Sequence, residues 1–275
     1  MRTVEIVVAR YNETLGWLNE YPFNQFKYII YNKGDNYAFA KNGVQKIINI
    51  ENVGRCDHTY LYHVIENHKY LSDITVFLTG SLDTLHAKKH KAIRILNNII
   101  QSNYNYAYFI GFHHDCLKQA HENFTLDHHS CSGYENYSKN SESLLYKCKL
   151  RPYSKWYNYF FGNTTAHWCA MGGIFSIDKR DIIQHHQNKY ISILQTVNTH
   201  SNPEAGHYIE RSWGVIFYPL IYTIKHLENP NTKQIRRYKL LNLKNSMFKR
   251  GRRGRRGRRL LQRPRRRINR LRRKF

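Results

Sequence analysis

"TVEIVVARYNETLGW" (residues 3–17) decides how the chain is read. The run Thr3–Ala9 is apolar except for Thr3 and Glu5, a pattern expected of a short strand buried on both faces. It ends abruptly in Arg10, Tyr11, Asn12 and Glu13, four polar or hydrogen-bonding residues. In a parallel sheet the carboxyl ends of the strands face the ligand. A buried strand that finishes in such a cluster is therefore expected to deliver it to a binding crevice.

Working outward, strand and helix signals alternate. "KYIIYN" (27–32) and "QKIINI" (45–50) read as the second and third strands, and "ITVFLTG" (74–80) as the fourth. "TLGWLNEY" (14–21) reads as one or two helical turns. "NVGRCDHTYLYHVIENH" (52–68) starts a helix after a glycine turn, and "HAKKHKAIRILNNIIQ" (86–101) is amphipathic, with Ala92, Ile95, Leu96, Ile99 and Ile100 on one stripe. "YNYAYFIGF" (104–112) reads as a further strand. Residues 113–150, rich in His, Ser and Asn, read as a long loop, followed by the aromatic segment 153–162. "CAMGGIFSI" (169–177) reads as a strand with a double glycine, 178–197 as one helix, and "PEAGHYIERSWGVIF" (203–217) as another. Alternation of this kind implies right-handed crossovers and a largely parallel sheet in an α/β fold.

The composition separates the chain into two objects. The net charge is +25, but residues 249–275 carry 16 Lys or Arg and no acid, which leaves 28 basic against 19 acidic residues elsewhere. We place a globular domain at 1–240 and an arginine-rich tail, expected to be disordered, at 241–275. Nucleic-acid phosphates, an anionic membrane surface or an acidic protein would suit that tail. There are 22 Tyr and 5 Cys, with no Cys-x-x-Cys spacing, no signal-peptide pattern and no long apolar span. These features favour a soluble protein of a reducing compartment, the cytoplasm (a host's cytoplasm if the chain is viral), with membrane-surface association through the tail as an addition.

Candidate site residues cluster at the strand ends. Arg10, Lys33 and Arg55 suit an anionic ligand such as a diphosphate, Arg55 because it stands at a helix start, and Asn12 and Glu13 are further candidates for the nucleotide side. The same arginine is also what an ordinary surface turn offers. Asp83, shortly after the fourth strand, could hold a divalent metal, with His86 as a second ligand or a cap neighbour. Gly172 and Gly173 fit either a close backbone approach to a ligand or a bulge. Glu210 lies beside the buried stripe of its helix, where an acid serves as a general base or as half of a structural salt bridge. The histidine pairs His113–His114, His128–His129 and His185–His186 read mostly as solvated loop residues.

The order of these pieces resembles the GT-A type nucleotide-sugar glycosyltransferases. The motifs "VVARYNE", "YNKG", "NVGR…HTYLYH", "FLTG", "GGIFSI" and "ERSWGVIF" resemble more closely an uncharacterised family, often treated as glycosyltransferase-like, found in fungi, bacteria and large DNA viruses of algae. The resemblance implies a GT-A-like single domain that transfers a sugar from a nucleoside-diphosphate donor to a glycan or glycoprotein hydroxyl. It further implies Glu210 as base, Trp168, Gly172 and Gly173 on the acceptor side, and Mn²⁺ or Mg²⁺ at Asp83. The metal motif departs from Asp-x-Asp, because this chain has Ser81-Leu82-Asp83; either Asp83 holds the metal with the diphosphate and a distant histidine, or the reaction is metal-independent and Arg10, Lys33 and Arg55 neutralise the leaving diphosphate. The competing expectation is a nucleic-acid-binding or packaging protein that acts through its tail, with the body as scaffold.

Overall fold

A computed structural model describes residues 2–128 and 146–228 of the chain. The tail, the domain boundary placed at 240 and the pair His128–His129 lie wholly or partly outside the described residues.

Five strands form the central sheet in the order β3-β2-β1-β4-β7. β1 (Val4–Arg10), β2 (Tyr28–Asn32), β3 (Val44–Asn49) and β4 (Ile74–Thr79) are parallel, and β7 (Phe175–Asp178) runs antiparallel beside β4. The expected mixed α/β fold with a mostly parallel sheet is thus present. All six residues of β4 are buried, as a strand covered on both faces requires.

One face carries Ile6, Val8, Ile74, Val76 and Leu78. It packs on Ala92, Ile95, Leu96 and Ile99 of helix α2 (His86–Gln101) and on Trp17 and Phe23. The other face is aromatic. Phe77 lies 4.7 Å from Tyr60 of helix α1 (Arg55–Glu66) and 5.1 Å from Phe175, which lies 5.0 Å from Trp213 in the helix Glu204–Ile216. A second sheet, β6-β5-β8, joins β5 (Tyr108–His113) to β6 (Trp168–Cys169) and β8 (Ile224–Leu227). Its link to the central sheet is the Ser176 hydroxyl, which accepts from the Tyr108 N–H at 2.6 Å and donates to the Tyr108 carbonyl at 3.0 Å.

Three local expectations change. The segment 169–177 is two strands in different sheets, joined by a tight turn at Met171–Gly173 with Gly172 and Gly173 at φ 81° and 63°. Left-handed backbone of this kind breaks any strand. The segment 178–197 is two helices, Lys179–Ile183 and Gln187–Leu194, because His186 takes extended backbone and its ring nitrogen caps the Asn188 N–H. The turns expected at 14–21 are a single 3₁₀ turn, Gly16–Asn19. Its Trp17 indole donates to the Gly80 carbonyl at 3.1 Å and so ties the loop after β1 to the end of β4. β8 was not anticipated, since four residues are too short a run for periodicity to register.

Candidate functional site

The chain runs from β1 outward through β2 and β3, then crosses back to place β4 on the other side of β1. That reversal opens a crevice at the carboxyl ends of β1 and β4, the usual ligand position in open α/β sheets. A cavity of about 180 Å³ lies there. Its walls come from the ends of β1 (Arg10, Glu13), β2 (Lys33) and β4 (Thr79, Ser81), the start of α1 (Arg55, Cys56, Asp57), Lys88, Gly172, and the last helix (His207, Glu210).

Six of the residues singled out in the sequence converge here: Arg10, Glu13, Lys33, Arg55, Gly172 and Glu210. Asn12, Asp83, His86, Trp168 and Gly173 are not in the lining. Asp83 is half exposed and ion-paired to Lys89 at 2.8 Å, and His86 is exposed with its ring against His90. Trp168 is buried edge-on to His113. Gly173 sits just behind the wall, where an added Cβ would stand 2.9 Å from Cys56 Sγ.

Several of these groups also build the wall they line. Arg10 is fully buried: its Nε donates to the Glu13 carbonyl at 2.8 Å and its Nη1 to the Tyr11 carbonyl and to Asn32 Oδ1. It therefore fixes the loop that the sequence placed at the ligand. Lys33 donates to the carbonyls of Val53 and Arg55, and burial brings its pKa down to about 8. Those bonds hold the entry to α1, where Gly54 and Arg55 both take left-handed backbone at φ 61° and 55°. Gly54 has no room for a side chain, because a Cβ would meet the Val197 carbonyl oxygen at 2.3 Å. Arg55, as a non-glycine, is strained there, and such strain tends to gather at functional positions.

The acidic side is a relay on two helices. Glu210 Oε1 accepts the Gly172 N–H at 2.6 Å. His207, one turn earlier, has Nε2 3.0 Å from Arg55 Nη1 and Nδ1 3.8 Å from Glu210 Oε2. Arginine only donates, so Nε2 accepts and Nδ1 carries the proton toward the carboxylate. Asp57 accepts the Trp213 indole N–H at 3.1 Å, and burial, with the Glu210 charge adding to it, pushes its pKa up to about 8. The sequence reading missed Cys56, Asp57, Lys88 and His207. The signal for His207 was its i, i+3 spacing to Glu210, which puts both on one helix face. Asp57 was signalled only by its place two residues after Arg55.

A raised carboxyl pKa has a definite sign. Between the ordinary value of 3.8 and about 8 the folded state holds the Asp57 proton and the unfolded chain does not. Stability from this group is therefore full below pH 3.8 and is lost as pH rises toward 8. His58 and His185, both held down to about 4 chiefly by burial, act oppositely between that value and 6.5. Asp57→Asn keeps the shape and the acceptor for Trp213 but cannot ionise. The difference in melting temperature, variant minus native, is expected to grow in the variant's favour from pH 5 to pH 8, read by thermal melts at half-unit steps (~0.5). A flat difference would show that Asp57 is ionised throughout.

Fold and cavity define an α/β protein with a polar crevice at the switch point of its sheet. Residues 6–234 match the family model described as "Protein of unknown function (DUF3431)", and the chain belongs to that family. No curated protein matches the chain. Among the described residues no helix is long and apolar enough to cross a membrane.

Proposed function

We propose that the chain is a glycosyltransferase that takes a nucleoside-diphosphate sugar as donor and a glycan hydroxyl as acceptor. One observation carries the reading. The cavity at the carboxyl ends of β1, β2 and β4 joins four cations, Arg10, Lys33, Arg55 and Lys88, to two carboxylates, Glu13 and Glu210, each held by a backbone N–H. An excess of positive charge suits a diphosphate. A carboxylate across the same cavity suits proton abstraction from a hydroxyl.

In the reaction the acceptor oxygen bonds to the anomeric carbon while the bond from that carbon to the diphosphate oxygen breaks. The electron pair leaves on the diphosphate, whose growing charge the cavity cations stabilise. Glu210 takes the hydroxyl proton. The Gly172 N–H keeps the Glu210 carboxylate oriented, with the His207 ring nearby at 3.8 Å. Asp57, protonated at neutral pH, adds no second negative charge beside it.

Mn²⁺ or Mg²⁺ at Asp83 and His86 does not fit these residues. Asp83 is turned out to Lys89, the corresponding cavity position is Ser81, and no group of three or more His, Cys, Asp or Glu suited to a metal occurs among the described residues. No step is routed through a metal.

The test is incubation of the full chain with a panel of nucleotide sugars, measuring the released nucleoside diphosphate and the thermal shift. At least one donor should both stabilise the fold and be turned over. No stabilisation and no release with any donor would overturn the assignment. The tail supports polyanion binding as an accompanying property, and a chain ending at 240 should lose salt-sensitive RNA or anionic-vesicle binding while keeping donor binding.

A further inference from the structure

Three of the four cavity cations are committed to the protein. Arg10 donates through Nε and Nη1 to two carbonyls and Asn32, its buried Nη2 alone lacking a partner among the described residues; Lys33 donates to two carbonyls, and Arg55 to Asn202 Oδ1 and His207 Nε2. Lys88 differs. Among the described residues its ammonium donates only to the neutral Ser81 hydroxyl, at 3.3 Å, whereas Lys89 is paired with Asp83 and Glu20, and Lys91 with Glu228.

The position of Lys88 is electrostatically awkward for the protein alone. The first turn of α2 contains His86, Lys88 and Lys89 and no acid. The helix dipole disfavours cations there and favours an anion. Ser81 and Lys88 both line the cavity, beside Gly172, whose N–H holds Glu210. An anion between Lys88 and the end of β4 would complete the charge balance that the fold leaves open. Ser81 is also where the first carboxylate of a metal motif would stand, and the second, Asp83, is neutralised outside the cavity.

We infer that the cavity takes its pyrophosphate without a divalent metal, and that the Lys88 ammonium, held on Ser81 Oγ, supplies the cation a metal would otherwise bring. The inference rests on the donor reading above. As the bond from the anomeric carbon breaks, the electron pair moves to the diphosphate oxygen. Lys88 offsets that charge as a fixed cation and keeps its proton. It is a point charge on a flexible stem, which suits successive phosphate oxygens of ground and product states.

The experiment is calorimetric titration of the full chain with UDP, GDP, ADP, CDP and inorganic pyrophosphate, each in EDTA and in Mn²⁺. At least one nucleoside diphosphate should bind in EDTA with an affinity within about threefold of that in Mn²⁺. Lys88→Met should weaken that binding on the order of tenfold or more, the loss of one charge-assisted contact. Lys88→Arg should retain most of it, and Lys89→Met should bind as the native chain does. Thermal melts confirm that each variant is folded, with Lys88→Gln as the substitute if the methionine variant is not. Binding that appears only with Mn²⁺, or folded Lys88→Met and Lys88→Gln proteins that bind normally, overturns the inference and leaves the donor reading standing. No binding of any nucleotide under either condition overturns the donor reading and the inference with it.

Discussion

Glu210→Gln is expected to lower sugar transfer by about 10²- to 10⁴-fold, the usual contribution of a positioned general base. Glutamine keeps the length of the side chain, and its carbonyl oxygen can still accept the Gly172 N–H that Glu210 holds at 2.6 Å. The turn at 171–173 should therefore stay in place, and so should the fold. What disappears is the capacity to take a proton. Donor affinity should be nearly unchanged or somewhat tighter, because a negative charge has been removed from a cavity that receives a diphosphate. Initial rates with saturating donor, together with the donor Kd, separate the two effects. A folded Glu210→Gln protein with native turnover would remove Glu210 from the chemistry and leave it as an anchor for the glycine turn.

The second large effect concerns stability. Trp213 is fully buried, within 6.5 Å centroid distance of Tyr60, Phe77, Phe175 and Phe217. Truncation to alanine removes the ring that joins the last helix to the sheet, at a cost of about 3–5 kcal/mol. For a protein of this size that corresponds to a fall in Tm on the order of 10 °C. The indole N–H is also the donor to Asp57 Oδ1. Trp213→Phe restores most of the packing but leaves that buried oxygen without its partner, and should cost about 1–3 kcal/mol. Chemical denaturation of the two variants resolves the contributions. An alanine variant less destabilised than the phenylalanine one would contradict the packing described here.

The elements read best from sequence were those whose local pattern and final environment agree. β1, β2, β4, α1 and α2 fall within a few residues of expectation, because an apolar run buried on both faces or a sustained helical stripe states its own geometry. The run 169–177 failed for the opposite reason. Its residues all suit a strand, and only the left-handed backbone at Gly172 and Gly173, the latter with Cys56 and Thr79 close where a side chain would stand, divides it. The helix expected over 178–197 failed because an imidazole served as a cap.

The site was half legible. Polar residues at strand ends were found because a buried strand makes its own boundary conspicuous. Lys88 and Asp57 were hidden, since each sits in a helical run where a charged residue usually signals only a solvated face. Asp83 was chosen for its place just after β4, and the tight turn Gly80–Thr84 carries it to the outside while Ser81 stays in the lining.

The reversed direction of β7 has a consequence for how substrate choice is encoded. Phe175 is in register with Phe77, so the residues that precede β7 arrive at the same rim that the parallel strands leave. The exits of β1, β2 and β4 line one side of the crevice, and from the approach to the inverted strand Gly172 joins them, with the start of α1, Lys88 and the last helix completing the wall. On the proposed transferase reading, changes around Gly172 would reshape the side that meets the incoming hydroxyl while the phosphate side, encoded far earlier in the chain at Arg10 to Lys88, keeps its form. Selection for new acceptors would then act on one short stretch, and relatives that share a donor should diverge most there.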